Sequence, residues 1–431
     1  MFIIKIEFLF IDKYSYYYHA NMQRIIDGLT KTLNDDIKPT FSKLFTRVYL
    51  EKSLPPVVTY DDIKHELKYD HDANVFRTST HIGQRKLFLS ELQFITNNIN
   101  PDEEVIVVYA GAAPSNKTGF LSELFPNIKW VLVDPNPFNI FNSRPKYIKK
   151  KSDPLMDLDE SMEVFENIVK GSEKLNIINS IFTPDMAKAV EKFMPDCLFI
   201  SDIRTNVYNE KQNPDALDIL WNLSQQFNWM HTMKPRASIM KFRHPFYADD
   251  PAIFLEKSKE SPVKDDFEIS KELGVDFVKN YDKKELQFYN GTIYLQCWQG
   301  HSSTETRIVV DKKHIVDNDI KDYGTADEFD NKFFYFNSIE RCYGKHVNPN
   351  TNKRLAFDNC NDCALENLIW ENYIKAYGGK DVLFYVKKLS DLTRRHLNRE
   401  NHGKFFGRYK TNVLINAIDK YNKDPRSKNL L

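Results

Sequence analysis

The sequence is poor in cysteine and glycine, and it carries no net charge. Its 431 residues include 5 cysteines and 14 glycines, and 60 lysines and arginines balance 60 aspartates and glutamates. So few cysteines exclude the dense disulfide framework of a small secreted domain. A net charge of zero excludes a uniformly basic surface for nucleic acid, although it permits a local basic groove.

Neither a metal site nor a membrane span is predicted. Cys360 and Cys363 form a lone CxxC pair, for which Cys342 and His346 are the best further ligands. Because zinc needs four ligands, we interpret this pair as chance spacing in a reduced protein. The apolar start, MFIIKIEFLF, is shorter than the roughly 20 residues of a spanning helix and lacks a signal-peptide cleavage site. We expect it to pack on the core.

Short apolar runs alternate along the chain with segments of helical spacing. Runs without charge are typical of strands buried on both faces of a sheet. The predicted strands are 105–110, 129–134, 197–202, 237–242, 292–298 and 306–310, and the predicted helices are 86–99, 116–125 and 215–227. Strands that alternate with helices predict an α/β fold with helices on both faces of the sheet. Ligands bind such sheets at the carboxyl ends of the strands.

Composition divides the chain into three parts. We expect an N-terminal extension at 1–75, an α/β core at 76–311 with a polar surface insertion at 249–290, and a helical, basic C-terminal extension at 312–431. Residues 386–431 contain twelve lysines and arginines against four aspartates and glutamates. This basic stretch is interpreted either as a solvated helix pair or as a surface for RNA or a partner.

The segment VVYAGAAPS predicts a nucleotide-binding loop. Its strand ends at Gly111 in a run of small residues, which lets a ligand approach backbone N–H groups. Asp134 ends the next strand, where a carboxylate suits the hydroxyls of a ribose. With one glycine instead of three, the loop lacks the dinucleotide fingerprint, and any doubly wound sheet has loops of this kind.

Several charged residues stand at the ends of predicted strands or at the start of a helix. They are Lys86, Asp202, Arg204, Lys241 and Glu305. Lys241 interrupts an apolar strand, and a buried lysine is costly unless carboxylates pair with it. Two explanations stay open: ion pairs that hold strands together, or a reaction centre. To act as a base, a lysine needs a pKa well below its usual value of about 10.4. Burial and nearby cations lower the pKa of a lysine, and nearby carboxylates raise it.

Six segments occur in an order that resembles one viral family. They are HIGQRKLFLSELQFI, VVYAGAAPS, KWVLVDPNPF, LFISDIR, IMKFRHPF and STETRIVV, with weaker matches in FDNKFFYFNSI and RLAFDNCNDCALENLIW. The chain resembles the poxvirus cap-specific mRNA (nucleoside-2′-O)-methyltransferases, FtsJ/RrmJ-like enzymes that are also regulatory subunits of the viral poly(A) polymerase. The resemblance implies a Rossmann-like fold, S-adenosyl-L-methionine as cofactor, and capped mRNA and a poly(A) polymerase catalytic subunit as partners. It also implies a large DNA virus, the cytoplasm of the infected host cell, and packaging in the virion.

The resemblance implies a role for each matched residue. A tetrad falls on Lys86, Asp202, Lys241 and Glu305. Lys241 is expected to activate the ribose 2′-hydroxyl, the two acids to set its charge, and Lys86 to position the ribose. The implied cofactor contacts are Gln84, Tyr109, Gly111, Ser115, Asp134, Asn136, Phe182 and Asp202. The implied cap contacts are Tyr69, Phe246 and Asp330, because stacking favours a cationic base.

The sequence departs from the family at three positions. Ser115 replaces the glycine that ends the family's loop, and Asn136 replaces an arginine. A second cap-binding acid is replaced by Ala248, with Asp249 adjacent. The departures leave three functions open: an mRNA cap 2′-O-methyltransferase, a non-catalytic RNA-binding subunit of a poly(A) polymerase, and a methyltransferase of ribosomal or transfer RNA. The complete tetrad favours the first.

Overall fold

The computed structural model describes most of the predicted core. The described residues are 22–27, 29, 55–69, 83–140, 156–205, 215–247, 256, 264–300, 302–341, 360–379 and 381–397. The apolar N-terminal run, the side chains of Cys360 and Cys363, Ala248 and Asp249, and most of the basic stretch lie outside them. Over the described ranges, no helix is long and apolar enough to cross a membrane, and no His, Cys, Asp or Glu cluster is arranged to hold a metal ion.

A seven-stranded sheet forms the centre of the fold, in the order β3-β2-β1-β4-β5-β8-β7. Its strands are β1 Val105–Ala110, β2 Ile128–Val133, β3 Leu175–Ile178, β4 Leu198–Ser201, β5 Ala237–Phe242, β7 Thr292–Tyr294 and β8 Thr306–Asp311. The first five in this spatial order run parallel, β8 is antiparallel to β5, and β7 is antiparallel to β8. Six of these strands correspond to predicted runs, whereas the four residues of β3 were missed.

Side chains of each central strand point alternately into two hydrophobic cores. In β1, Val108 and Ala110 belong to one core, and Val107 and Tyr109 belong to the other. This alternation follows from the two-residue period of a strand. Because both faces are covered, the strand has no polar face, and this explains why its sequence is continuously apolar.

Helices cover both faces of the sheet, as predicted. One face carries α1 Gly83–Asn98 and α2 Thr118–Leu124, and the other carries α3 Leu158–Lys170, α4 Pro184–Phe193 and α5 Ala216–Met233. Side chains at the N-termini define where three of them begin, since Asp157, Thr183 and Asp215 each accept a backbone N–H of the first turn. Each such cap satisfies a donor that the helix itself leaves unpaired.

The polar segment 249–290 is not wholly a surface insertion. Its described part forms α6 Lys264–Glu272, α7 Phe277–Lys283 and β6 Glu285–Tyr289. Phe267, Phe277, Tyr281 and Phe288 are buried in the main core, and the ring of Tyr289 stacks on that of Phe227 at 4.2 Å. The prediction relied on the abundant charges, which lie on the outer faces, and gave too little weight to the widely spaced aromatic residues.

One strand of a second small sheet lies in what was predicted as a helical extension. Strand β6 pairs with β9 Ile320–Thr325 in an antiparallel sheet, which the sequence analysis missed. The other described elements of this region are helical: α8 Lys312–Val316, α9 Ala326–Tyr335, a π-helical turn Phe336–Glu340, α10 Cys360–Ala376 and α11 Val382–Leu397. The boundaries proposed for the three parts of the chain stay a prediction.

The two C-terminal helices are attached to α1 by a buried ion pair. Glu366 of α10 pairs with Arg85, whose Nε donates to Glu366 Oε2 over 2.8 Å. Trp298 Nε1 donates to the same carboxylate oxygen over 2.8 Å, and Ser390 of α11 donates to the other over 2.7 Å. Both charged side chains are at most 3% exposed, so neither can be rehydrated if its partner is lost.

Replacement of Glu366 by glutamine should destabilise the fold strongly. Glu366→Gln leaves the Arg85 guanidinium buried without a counter-charge, which typically costs about 3–5 kcal/mol. Chemical denaturation followed by circular dichroism measures this loss. The matched control is Glu371→Gln on the same helix. Its i,i+4 pair with Lys375, whose side chains are 21% and 60% exposed, is worth about 0.3–0.5 kcal/mol. Equal losses in the two variants would contradict a structural role for the Arg85 pair.

Candidate active site

The site is built around Gly111, which follows β1 at the carboxyl edge of the sheet. Gly111 has a φ of +73°, and a Cβ atom there would lie 2.8 Å from the carbonyl carbon of Asp202. Glycine is therefore required for two reasons, the left-handed backbone and the lack of space. The close approach brings the loop after β1 against the end of β4, where Asp202 is located.

Asp134 is oriented by three donors at the end of β2. The backbone N–H of Ala113 donates to Oδ2 over 3.1 Å. The backbone and side-chain amides of Asn136 donate to Oδ1 over 2.8 and 3.0 Å. Burial raises the pKa of Asp134, and these hydrogen bonds oppose that effect. Asn136, which replaces the family's arginine, therefore orients the carboxylate that is predicted to hold a ribose.

Ser115 adopts a backbone conformation that favours glycine. Its φ is +58°, which lies in the left-handed region that non-glycine residues seldom occupy. Its side chain is buried, and its hydroxyl is hydrogen-bonded to that of Thr118. The glycine expected from the resemblance is thus explained by backbone geometry, and serine follows the same path with a local hydrogen bond.

The structure brings the four predicted tetrad residues together. Lys241 Nζ lies 3.3 Å from Glu305 Oε2 and 3.7 Å from Asp202 Oδ1. Lys86 Nζ lies 3.5 Å from Glu305 Oε1. Glu305 therefore stands between the two amines, although the four residues come from one helix, two strand ends and a loop. Whether they catalyse a reaction stays a prediction.

Arg307 is a fifth charged residue of this cluster, and the sequence analysis missed it. Its Nη2 donates to Asp202 Oδ1 over 2.8 Å, and its side chain is 4% exposed. It lies on β8, two residues after Glu305. A second charge inside the apolar run 306–310 was the available signal, because a buried arginine requires an acidic partner just as Lys241 does.

Burial and neighbouring charges act in opposite directions on these groups. Burial lowers the pKa of Lys86, and Glu305 opposes this shift. Burial favours the neutral forms of Asp202 and Glu305, but the cations outweigh it. The pKa of Asp202 is lowered most by Arg307 and next by Lys241. The pKa of Glu305 is lowered most by Lys86 and next by Lys241. Both acids are therefore ionised at neutral pH.

A cleft of about 500 Å³ opens onto the charged cluster. Its lining combines cations, amides and apolar side chains: Lys86, Ile203, Arg204, Ile219, Asn222, Leu223, Gln226, Lys241, Arg243, Phe246, Gly300, Ser303 and Glu305. Both tetrad lysines thus face a cavity large enough for a nucleotide-sized ligand. Asn222, Gln226 and Arg243 had not been predicted.

Of the three predicted cap-binding residues, Phe246 lines this cleft. It is 44% exposed, and the Arg243 guanidinium lies 3.9 Å from its ring centre. Tyr69 packs edge-on against Phe334, and its hydroxyl donates to the backbone oxygen of Ser302. Burial raises the pKa of Asp330. Because of its exposure, Phe246 is not a residue of the hydrophobic core.

The remaining predicted cofactor residues differ in exposure. Gln84 is partly buried in the first turn of α1. Tyr109 is fully buried, and its hydroxyl donates to Glu91 over 2.8 Å. Phe182 is buried, and its ring packs edge-on against that of Trp229 at 4.9 Å. Contact of these three with a cofactor stays a prediction.

Sheet order and site together define a class of protein. A mixed sheet of seven strands with helices on both faces, in this order, is that of a Rossmann-like methyltransferase. A family model described as "Poly A polymerase regulatory subunit" matches residues 52–145.

Two similar proteins are both named cap-specific mRNA (nucleoside-2′-O-)-methyltransferase. One is from Myxoma virus strain Lausanne, 24% identical over 320 residues that cover 70% of this chain and 82% of the relative. The other is from Fowlpox virus strain NVSL. It is 27% identical over 171 residues, which cover 38% of this chain and 47% of the relative. The resemblance is confirmed: the chain is a relative of the poxvirus-type cap-specific mRNA 2′-O-methyltransferase and poly(A) polymerase regulatory subunit family.

Replacement of Gly111 by alanine should destabilise the protein by about 2 kcal/mol or more, since a forced left-handed backbone and a steric overlap each cost 1–3 kcal/mol. Thermal unfolding measures the effect. In the control, Gly300→Ala, the new Cβ would meet its nearest neighbour, Ser303 Cβ, at an ordinary 3.6 Å. An unchanged melting temperature for Gly111→Ala would refute the close approach described above.

Proposed function

We propose that this protein transfers a methyl group from S-adenosyl-L-methionine to the ribose 2′-hydroxyl of the first transcribed nucleotide of capped mRNA. The main support is the tetrad, in which Lys241 lies within 3.7 Å of both Asp202 and Glu305 at the edge of a cleft. A decayed site has no physical reason to keep buried charges that cost free energy to desolvate. The names of the two viral relatives support the same substrate.

The residues at the loop fit the proposed cofactor. Asp134, fixed by Ala113 and Asn136, would accept hydrogen bonds from the ribose of the cofactor, and the small residues after Gly111 would let it approach the backbone. When bound, S-adenosyl-L-methionine supplies an electrophilic sulfonium methyl group. The positive φ of Ser115 is the glycine-like geometry that such a loop needs.

In the proposed mechanism, Lys241 holds the acceptor hydroxyl and receives its proton. Glu305 and Asp202 fix the amine and stabilise the ammonium that forms. Lys86, whose pKa is lowered by burial, lies on the other side of Glu305 and orients the ribose. Arg307 supplies the fixed positive charge that keeps Asp202 ionised.

Phe246 is the proposed stacking surface for the methylated guanine of the cap. It is exposed at the same cleft as the tetrad, and the face of an aromatic ring attracts a cationic base. Asp330, and Tyr69 as the second ring, complete the proposed site. The Arg243 guanidinium lies 3.9 Å from the centre of the Phe246 ring, which supports the proposal that this ring face attracts planar cations.

A second proposed role is that of a regulatory subunit of a viral poly(A) polymerase. It is supported by the description of the family model that matches residues 52–145. The partner would be the catalytic subunit, in the cytoplasm of an infected cell, with packaging in the virion as a further proposal. Both roles require RNA binding, so they are compatible in one chain.

Replacement of Lys241 by methionine should abolish methyl transfer. Loss of a general base typically costs 10²–10⁴-fold in rate, so we expect kcat on capped RNA to fall by about 100-fold or more. Radiolabelled methyl transfer measures the rate, and fluorescence anisotropy checks that RNA still binds. Lys188→Met, at a lysine that is 52% exposed, is the control. Full activity in Lys241→Met would refute the assigned role.

Replacement of Phe246 by alanine should weaken recognition of the cap. Stacking on an aromatic ring contributes about 1–3 kcal/mol per base, so KM for capped RNA should rise about tenfold, with little change for uncapped RNA. Phe384→Ala, at a phenylalanine that is 52% exposed on α11, is the matched control. If wild type methylates capped and uncapped RNA equally, the substrate is ribosomal or transfer RNA instead.

A further inference from the structure

A second cluster of buried polar side chains lies between α1 and the loop after β1. Lys117 lies just before α2. Its Nζ is 3.1 Å from Glu91 Oε1 and donates to the Tyr109 hydroxyl over 2.9 Å. That hydroxyl donates to the same Glu91 oxygen over 2.8 Å. The three groups form a closed triangle and are 4%, 2% and 0% exposed.

This triangle is expensive to maintain if its only purpose is stability. Burial raises the pKa of Glu91, and Lys117 opposes this shift. A buried ion pair is often no more stabilising than apolar residues of the same volume, because both charges lose their hydration. What such a pair does supply is a fixed distance between the elements that carry it.

The triangle adds an attachment to the loop 111–117, which is also held by several backbone hydrogen bonds. The N–H of Gly111 donates to the backbone oxygen of Val133 over 2.9 Å, and that of Ala113 donates to Asp134 over 3.1 Å. These two bonds tie the loop to β2. Lys117 ties it to α1, the helix that carries Lys86 in its first turn.

We propose that Lys117 is a positioning residue that fixes the cofactor loop relative to the helix carrying Lys86, through Glu91 and Tyr109. This inference rests on the proposed function, since it assumes that the loop binds the cofactor. Without the triangle, the loop keeps its bonds to β2 but loses its attachment to α1. The expected consequence is weaker cofactor binding, because the loop must then be ordered at the expense of binding energy.

The test separates positioning from stability with a charge-balanced pair of substitutions. Lys117→Met alone leaves the Glu91 carboxylate buried without its cation, and Glu91→Gln alone leaves the ammonium without its anion, so each should lower Tm. The double variant Lys117→Met/Glu91→Gln removes both charges and should recover most of the Tm. Lys170→Met/Glu166→Gln, at a pair that is 69% and 44% exposed on α3, is the matched control.

For each variant, calorimetry gives the Kd for S-adenosyl-L-homocysteine, and steady-state kinetics on capped RNA give KM for S-adenosyl-L-methionine and kcat. In the double variant we expect Kd and KM to rise about fivefold or more, a coupling of about 1 kcal/mol. We expect kcat at saturating cofactor to stay within about twofold. A merely structural residue would change Tm and the fraction of active enzyme without changing KM.

Three other outcomes are distinguishable, and each decides whether the inference or the proposed function fails. If the wild type binds the product and the double variant binds it equally well, Lys117 is structural and the proposed function stands. If the control pair changes KM to the same extent, the effect is not specific to the triangle and the inference fails. If the wild type itself does not bind S-adenosyl-L-homocysteine, the proposed function fails, and the inference fails with it.

Discussion

The structure depends on placing buried charges so that each has an opposite charge within reach. At the carboxyl edge of the sheet, Lys86, Lys241 and Arg307 surround the carboxylates of Asp202 and Glu305. None of these side chains could be buried alone, because desolvation of an unpaired charge costs far more than folding provides. The β1 loop approaches this cluster because Gly111 has no side chain, and so the proposed cofactor-binding loop and the charged groups are adjacent.

The same constraint applies at two further places in the fold. The Arg85–Glu366 pair attaches the C-terminal helices to α1, and the Lys117–Glu91–Tyr109 triangle attaches the loop to the same helix. Arg85, Lys86 and Glu91 lie within about two turns of one helix, at 3.6 residues per turn, and each is directed to a different partner. Helix α1 is the element through which the C-terminal helices, the loop and the tetrad are held at fixed distances.

Much of this arrangement follows from local sequence patterns. Apolar runs predicted β1 and β5 to the residue, because a strand buried on both faces consists mostly of apolar side chains. Ser238 and Lys241 are the polar residues of β5. Charged residues at the ends of apolar runs and at one helix start were interpreted either as ion pairs or as a reaction centre, and the resemblance to the viral family implied which four of them form the tetrad. Segments with mixed composition were predicted less well. Strand β3 was missed because it has only four residues. The part of 249–290 that enters the core was missed because its buried aromatic side chains are isolated among many charges.

By itself the sequence determined the class of sheet and the position of the glycine loop, since these depend on short runs and on residue type, and its resemblance to the viral family implied the tetrad residues. Only the tertiary structure decided that Arg307 joins the tetrad, that Lys117 pairs with Glu91, and that Phe246 is exposed at the cleft while Phe182 is buried. The physical reason is that these are contacts between segments far apart along the chain. Hydrophobicity and spacing define what each segment forms, but they do not specify which buried charge lies opposite which.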